Sequence, residues 1–280
     1  MSWIRPALRP LIALFLVGIA ALWSAPPAQA NDFLRRCLDE RAGAETLALA
    51  CRSALNAGGL DRRETAAAWT NSGIALAELG RDGDALAAYD RAVAADPTFT
   101  PAYANRALSR ARRGRVEEAI ADWSEVIARA PRDGDALLGR AGLHLVAGRP
   151  AQALADADAG LRLAPRSSDL HYTRGLALGA LNRTAEAVSA FDAALRLDPG
   201  DAEAWMQRGL IQARAAPAAA LRDLTRAIDI VPKRAVLYVH RGQVLEGLGR
   251  QGEADRDYRR AFELGFQSPW LNQRIEAMGG

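Results

Sequence analysis

Five prolines recur at a nearly constant interval along the chain. The first four are 34 residues apart and the fifth follows after 33: Pro97, Pro131, Pro165, Pro199 and Pro232. A fixed period of this size is typical of repeat architectures, in which each unit packs mainly against its neighbours. The period therefore constrains the fold of this chain more strongly than any single residue does.

Small and large side chains keep fixed places within the repeat when each proline is set at position 32. Position 20 is always alanine: Ala85, Ala119, Ala153, Ala187, Ala220 and Ala254. Position 8 is always small: Gly73, Ala107, Ala141, Gly175, Gly209 and Gly242. Position 24 is large in most copies: Tyr89, Trp123, Phe191, Leu224 and Tyr258. Six copies in register predict closely packed helix pairs with bulky side chains between them.

Turn-forming residues divide each copy into two helices. Position 15 carries residues that favour the left-handed conformation after a helix end: Gly80, Gly114, Gly148, Asn182 and Gly249. The proline at position 32 then stops the second helix, since it has no amide hydrogen. The fifth copy is one residue short, and we expect Pro217 to open its second helix.

These positions resemble the tetratricopeptide repeat (TPR) family over residues 66–267. The resemblance implies an all-α fold, a right-handed α-solenoid of six helix–turn–helix repeats. We expect a degenerate N-terminal helix pair at residues 31–65. We also expect a short capping helix and tail at residues 268–280, with the helix over Pro269–Met278.

The first 30 residues have the pattern of a secretory signal peptide. Arg5 and Arg9 precede an apolar run from Leu11 to Trp23, and Ala28-Gln29-Ala30 is a small-x-small cleavage motif. We predict cleavage after Ala30, a periplasmic or secreted mature protein, and no membrane association afterwards. An uncleaved anchor is the alternative, although the run is short for a membrane span.

Cys37 and Cys51 are the only cysteines of the chain. Two neighbouring cysteines in an exported protein indicate a disulfide. Extending the repeat backwards makes residues 31–65 a degenerate copy, with helices at Asn31–Arg41 and Glu45–Ala57, and the cysteines facing each other across them. A structural bridge is the main interpretation, and a redox-active pair is the alternative.

Arginine at position 7 and aspartate at position 23 occur together in four copies. The pairs are Arg106 and Asp122, Arg140 and Asp156, Arg208 and Asp223, and Arg241 and Asp257. The first copy has neither member, and the fourth has Arg174 with Asp192 two residues further on. Because a guanidinium can hold a carboxylate at two points, we interpret these as structural ion pairs between the two helices. A ligand-binding arginine row is the alternative.

The sequence offers no constellation typical of catalysis. It lacks a CxxC, a His-x-x-x-His, a phosphate-binding glycine loop and a Gly-x-Ser-x-Gly. The three histidines, His144, His171 and His240, fall at different repeat positions and are interpreted as core or rim residues. A net charge of +3 and the lack of a basic stripe argue against nucleic acid as a partner. We predict a protein that is not an enzyme, with no metal and no cofactor.

The TPR resemblance implies a concave groove lined by the first helix of each repeat. Carried over by position, its residues are Asn71, Asn105, Leu138, Gly142, Leu145, Tyr172, Leu176, Met206 and Leu210. Positions 2, 6 and 9 hold no Lys or Arg in any copy, which argues against a carboxylate clamp. An apolar or amphipathic segment is therefore the expected ligand. Packing of the same residues against adjacent helices is the alternative.

The function that follows is a protein- or peptide-binding adaptor or scaffold of the bacterial envelope. The alternative is a structural subunit of a secretion, pilus or polysaccharide-export assembly that uses its convex face or its ends. Nothing in the sequence predicts the partner, the pathway or the oligomeric state.

Overall fold

The computed structural model describes residues 28–39 and 41–279. Its regular elements are all α-helices, and no β-strand occurs among these residues. This confirms the predicted all-α class. The chain divides into two compact units, Met1–Arg149 and Pro150–Gly280, with the boundary in a turn between two helices.

The first unit contains seven helices within the described residues. They are α1 (Ala28–Cys37), α2 (Ala44–Ala57), α3 (Arg62–Glu78), α4 (Asp82–Ala95), α5 (Thr100–Arg112), α6 (Val116–Arg129) and α7 (Gly134–Val146). Each helix packs against the next one along the chain, and the most extensive contacts join α3 to α4 and α5 to α6.

The second unit has eight helices in the part that the structure describes. They are α8 (Pro150–Leu163), α9 (Ser168–Ala180), α10 (Thr184–Leu197), α11 (Ala202–Gln212), α12 (Pro217–Ile230), α13 (Ala235–Gly247), α14 (Gln251–Glu263) and α15 (Pro269–Ala277). The helix starts keep the period of the sequence: α9 begins 34 residues before α11, and α11 begins 33 residues before α13.

The turn residues behave as their types require. The glycines at position 15 have φ between 69° and 73°, and Asn182 takes the same role at φ 60°. In the first copy, the N–H of Arg81 donates to the carbonyl of Leu76 at 2.8 Å, which satisfies a carbonyl at the helix end. These five repeats therefore break into two helices for a local reason that the sequence carries.

Prolines set the ends of the second helices. Helices α4, α6, α8, α10 and α12 each end two residues before a position-32 proline. Pro217 stands at the first position of α12, where the missing amide hydrogen costs no helical bond. The shortened fifth copy thus keeps its hairpin.

Aromatic rings pack directly onto three of the four glycines at position 8. A Cβ on Gly175 would lie 2.8 Å from the ring of Phe191, and a Cβ on Gly242 would lie 2.7 Å from the ring of Tyr258. No side chain fits in that space. The small residue at position 8 and the large one at position 24 are therefore one packing unit.

A disulfide joins α1 to α2. Cys37 and Cys51 are bonded with 4.5 Å between their Cα atoms, and both are fully buried beside Leu34 and Leu47. The predicted bridge is confirmed. Cys51 lies one period before Ala85, so the bridge stands at a position where the repeat otherwise has a small residue.

The first helix is shorter at its end than we predicted. It ends at Cys37 rather than Arg41, because the side chain of Asp39 accepts from the N–H of Arg41 and forms a turn. The second helix, Ala44–Ala57, starts within one residue of the prediction. Residues 1–27 lie outside the described residues, so the signal peptide and its cleavage stay predictions.

The C-terminal helix α15 closes the second unit by packing on α14. Leu271 is fully buried, and the ring of Trp270 meets that of Tyr258 edge-on at 5.3 Å between centroids. Ser268 accepts a hydrogen bond from the N–H of Leu271 and begins the helix. The last repeat is thereby covered on its open side, as solenoid ends require.

Candidate functional site

In three of the four sequence-predicted arginine–aspartate pairs, both partners belong to the same unit, and each of these pairs is a two-point contact. Arg208 donates from Nε and Nη2 to Asp223 at 2.8 and 2.7 Å, and Arg241 contacts Asp257 at 2.7 Å from both nitrogens. Arg106 holds Asp122 at 3.1 and 2.8 Å. The geometry is that of a structural link between the two helices of a repeat.

The aspartates of these pairs are buried. The side chain of Asp122 is 3% exposed and that of Asp223 is 5% exposed. Position 11 supplies a further donor to these two aspartates: Arg110 reaches Asp122 and Gln212 reaches Asp223, both at 2.7 Å. Hydrogen bonds to Asp223 raise the pKa of the Arg208 guanidinium above its ordinary value, although burial opposes this.

Each position-7 arginine in these contacts also reaches back to position 25 of the preceding copy. Arg106 contacts Asp90 at 2.9 Å, and Arg208 contacts Asp192. A hydroxyl takes this place in two copies, where Arg140 donates to Ser124 at 3.0 Å and Arg241 to Thr225 at 3.3 Å. The arginines therefore link neighbouring repeats as well as the two helices of one repeat. We did not predict this second link, although an acid or hydroxyl recurs at position 25 of the sequence.

The fourth copy differs from the prediction. Arg174 donates to Asp158 at 2.7 Å, not to Asp192, which is the acceptor for Arg208. The side chain at repeat position 25 faces the following repeat rather than its own. Asp192 therefore pairs with Arg208 of the fifth copy. Of the remaining predicted pair, Arg140 lies in the first unit and the buried Asp156 in the second.

Two predicted groove residues are engaged with the backbone. Asn71 donates from Nδ2 to the carbonyl of Cys37 at 2.8 Å, which attaches α1 to α3. Asn105 is buried and donates to the carbonyl of Pro101 within its own helix at 2.9 Å. The side-chain amides of both residues are therefore engaged in structural hydrogen bonds.

Tyr172 and Met206 lie in the core of the second unit. Tyr172 is 7% exposed and meets the ring of Phe191 edge-on at 5.8 Å, and Met206 is 5% exposed. Burial raises the pKa of the Tyr172 hydroxyl. Packing against neighbouring helices accounts for these two residues, in agreement with the alternative stated above.

The predicted groove leucines are more accessible. Leu138 and Leu145 on α7 are half-buried, while Gly142 between them is buried. In the second unit, Leu176 of α9 and Leu210 of α11 are also half-buried, and each packs against a hydrophobic cluster. In each unit, these leucines are apolar surface that the first helices of its repeats present.

The histidines have structural surroundings. His144 is buried on α7, and the ring of His171 lies 3.1 Å from the carbonyl of Pro165. Trp205 and Tyr238 make the same contact with the carbonyls of Pro199 and Pro232, both at 3.0 Å. In the last three repeats, position 4 thus ties the repeat to the proline turn before it.

Acidic, cysteine and histidine side chains do not gather in a metal-binding group of three or more anywhere in residues 28–39 and 41–279. Within the same ranges, no helix has the length and apolar character needed to span a membrane.

Two family models described as tetratricopeptide repeat match the chain. One matches residues 47–98, 105–168 and 172–235, and the other matches residues 235–264. The matched region begins inside α2, so it includes part of the degenerate N-terminal copy. Comparison with curated proteins gives no match.

Solved structures with the same architecture include a tetratricopeptide repeat protein from Parabacteroides merdae. It has a TM-score of 0.68 and 18% identity, over 89% of this chain and 98% of that one. A second is YrrB, described as a TPR protein with an unusual peptide-binding site, with a TM-score of 0.57 and 24% identity over 68% and 96% of the two chains. MamA matches with a TM-score of 0.53 and 23% identity, over 56% of this chain and 93% of its own. At these identities the likeness is one of fold.

Proposed function

Because the chain belongs to the tetratricopeptide repeat family, we propose that it is a non-catalytic adaptor or scaffold that binds a segment of another protein. Proteins of this fold typically act as interaction scaffolds, and YrrB is described as having a peptide-binding site. The partner of this chain is proposed to lie in the groove formed by the first helices of the repeats.

The observation that carries the proposal is a pair of half-buried leucines on those helices in each unit. The pair is Leu138 and Leu145 in the first unit, and Leu176 and Leu210 in the second. No Lys or Arg stands at positions 2, 6 or 9 beside them. An apolar or amphipathic helix or strand complements such a surface better than an acidic peptide does.

The test is capture of partners by an immobilised variant with Leu176→Gln and Leu210→Gln. The matched control carries Leu163→Gln and Leu248→Gln, which change two exposed leucines of the same unit outside the predicted groove. We expect the first variant to lose partners that the wild type and the control retain. Partners are identified by mass spectrometry, and circular dichroism shows that both variants are folded.

Equal capture by all three proteins would contradict binding in the groove. It would favour the second function considered above, a structural subunit that is held by its ends or its convex face.

We place the adaptor in the bacterial envelope, in the periplasm or outside the cell. The support is the leader pattern of residues 1–30 together with a buried disulfide, which persists in oxidising compartments. Cell fractionation and intact-mass measurement should give a chain that begins at Asn31. A full-length cytosolic chain with two free thiols would contradict this placement.

A further inference from the structure

The first repeat lacks the ion pair that the next repeat has. Ser72 stands at position 7 and Ala88 at position 23, where Arg106 and Asp122 stand in the next copy. Both side chains are buried, at 8% and 3% exposure. Two short side chains thus replace a guanidinium and a carboxylate between the helices.

A cavity opens at this place between α2, α3 and α4. Its volume is about 560 Å³, which lies in the range of small-molecule sites. Ser72 and Ala88 line it together with the indole of Trp69. The Gly58-Gly59 turn also lines it, with φ of 72° and 75° at the two glycines. None of the predicted groove residues takes part.

The polar lining of the cavity is mainly cationic. Arg52, Arg81 and Arg91 line it, and Asp84 is the one acid among the lining residues. Arg81 pairs with Asp84 at 2.7 Å. Within the described part of the chain, neither Arg52 nor Arg91 has an ion-pair partner, and Arg91 lies over the ring of Trp69 at 4.6 Å. Two guanidinium groups are therefore available for an anion.

The inner lining is apolar apart from a few neutral donors. Leu55, Leu60 and Leu76 line the cavity beside Trp69, and Ser72 adds a hydroxyl. An inorganic ion would leave this apolar surface unused. A ligand with one charged end and one apolar end would use both parts.

The equivalent place in the last repeat shows the difference. A cavity of about 530 Å³ lies there between α12, α13 and α14, and Arg241 and Asp257 line it. Because that ion pair occupies the inner lining, an apolar group entering there would meet buried charges. The same location in the repeat is therefore chemically different in the first copy.

We propose that the cavity of the first repeat binds a carboxylate carried on an aromatic or aliphatic body. The carboxylate lies between Arg52 and Arg91, and the body lies against Trp69 and the leucines. Such a group can come from a free organic acid or from the C-terminal residue of a peptide. The site is separate from the proposed groove, so its failure would leave the adaptor function untouched.

Isothermal titration of the purified, disulfide-bonded protein tests the site. The probes are phenylacetate, its neutral analogue phenylacetamide, and acetyl-Ala-Phe with either a free or an amidated C-terminus. We expect each acid to bind about tenfold or more tightly than its amide, because a charged hydrogen-bonded pair contributes that much. Tighter binding of the free-acid peptide than of phenylacetate assigns the site to a chain terminus. Similar binding of the two assigns it to a small acid.

The decisive variant is Ser72→Arg with Ala88→Asp. It introduces at this place the same arginine–aspartate pair that joins α5 to α6 in the second repeat, Arg106 with Asp122. The two new side chains fill the cavity. We expect it to abolish binding of both acids. Arg52→Gln and Arg91→Gln change exposed side chains and should each weaken binding about tenfold, so they test the site even if the double variant is unstable.

Arg226→Gln is the matched control, since Arg226 is an exposed arginine that lines the cavity of the last repeat. We expect it to bind both acids as the wild type does. The proposal is overturned if neither acid binds, if the amides bind as well as the acids, or if Arg52→Gln and Arg91→Gln bind like Arg226→Gln.

Discussion

Removing the charge of Asp122 tests whether the arginine–aspartate links hold the repeats together. In Asp122→Asn, the side chain keeps its shape but no longer neutralises Arg106 and Arg110, whose side chains are only 13% and 14% exposed. Three hydrogen bonds to a carboxylate are changed at once. The variant should therefore be clearly less stable than the wild type.

The size of the loss follows from burial. Breaking a buried ion pair by removing one partner costs about 3–5 kcal/mol. Asp90 remains 2.9 Å from Arg106 and still neutralises part of its charge. Because Asp90 is half exposed, this pair compensates for little of the lost stability. We expect the free energy of unfolding of the first unit to fall by about 2–4 kcal/mol.

Glu186→Gln provides the matched control. It removes the same charge from a pair with Arg183 in which both side chains are nearly half exposed. Pairs of this kind contribute about 0.5 kcal/mol or less. The comparison separates the effect of burial from the effect of net charge.

Urea unfolding followed by circular dichroism gives the free energies. Hydrogen exchange of the amides in α5 and α6 locates the loss, since repeat proteins can unfold in parts. Both measurements should be repeated at about 1 M NaCl, where exposed pairs are screened. A loss for Asp122→Asn no larger than that for Glu186→Gln, or one that disappears in salt, would refute the reasoning from burial.

Three further predictions concern packing, the disulfide and pH. Gly242→Ala should lower the free energy of unfolding by about 1–3 kcal/mol, because the new Cβ would lie 2.7 Å from the ring of Tyr258. The control is Gly247→Ala in the same helix, whose Cβ meets nothing within 4 Å and should leave stability unchanged. Thermal melting compares the two variants, and equal stabilities would contradict the packing argument. Reducing the disulfide should lower the free energy of unfolding by about 3 kcal/mol, the chain-entropy value for a separation of 14 residues. Calorimetry with and without reductant measures the loss, and an unchanged melting temperature would contradict the prediction. Burial lowers the pKa of His240 below its ordinary 6.5, with Arg234 acting in the same direction and a hydrogen bond with Gln243 opposing it. Its contribution to stability is therefore fully present above pH 6.5 and is lost as the pH falls through the folded pKa, so His240→Gln should lose less stability than the wild type between about pH 8 and pH 5. An equal fall in melting temperature for the two proteins over that pH range would contradict this prediction.

The sequence determined the local structure because its signals act over a few residues. Glycine or asparagine at position 15 sets the turn by its backbone freedom, and proline at position 32 ends the next helix by lacking an amide hydrogen. The pairing of Gly242 with Tyr258 could be predicted in kind, because a small residue recurs with a large one at a fixed offset. The two cysteines had only each other as partners within the chain. Their link needed no tertiary information.

Only the tertiary structure decided which side chain meets which across repeats. Asp158 and Asp192 face the arginine of the following copy, because position 25 points away from its own hairpin, and spacing within one copy cannot show that direction. Burial separated Tyr172, which packs in the core, from Leu176, which keeps an accessible side, although both stand on the same predicted face. The loss of the ion pair at Ser72 was visible in the sequence. That this loss leaves a cavity beside two arginines follows only from the packing of three helices, because empty space is a property of their surfaces together and not of any one segment.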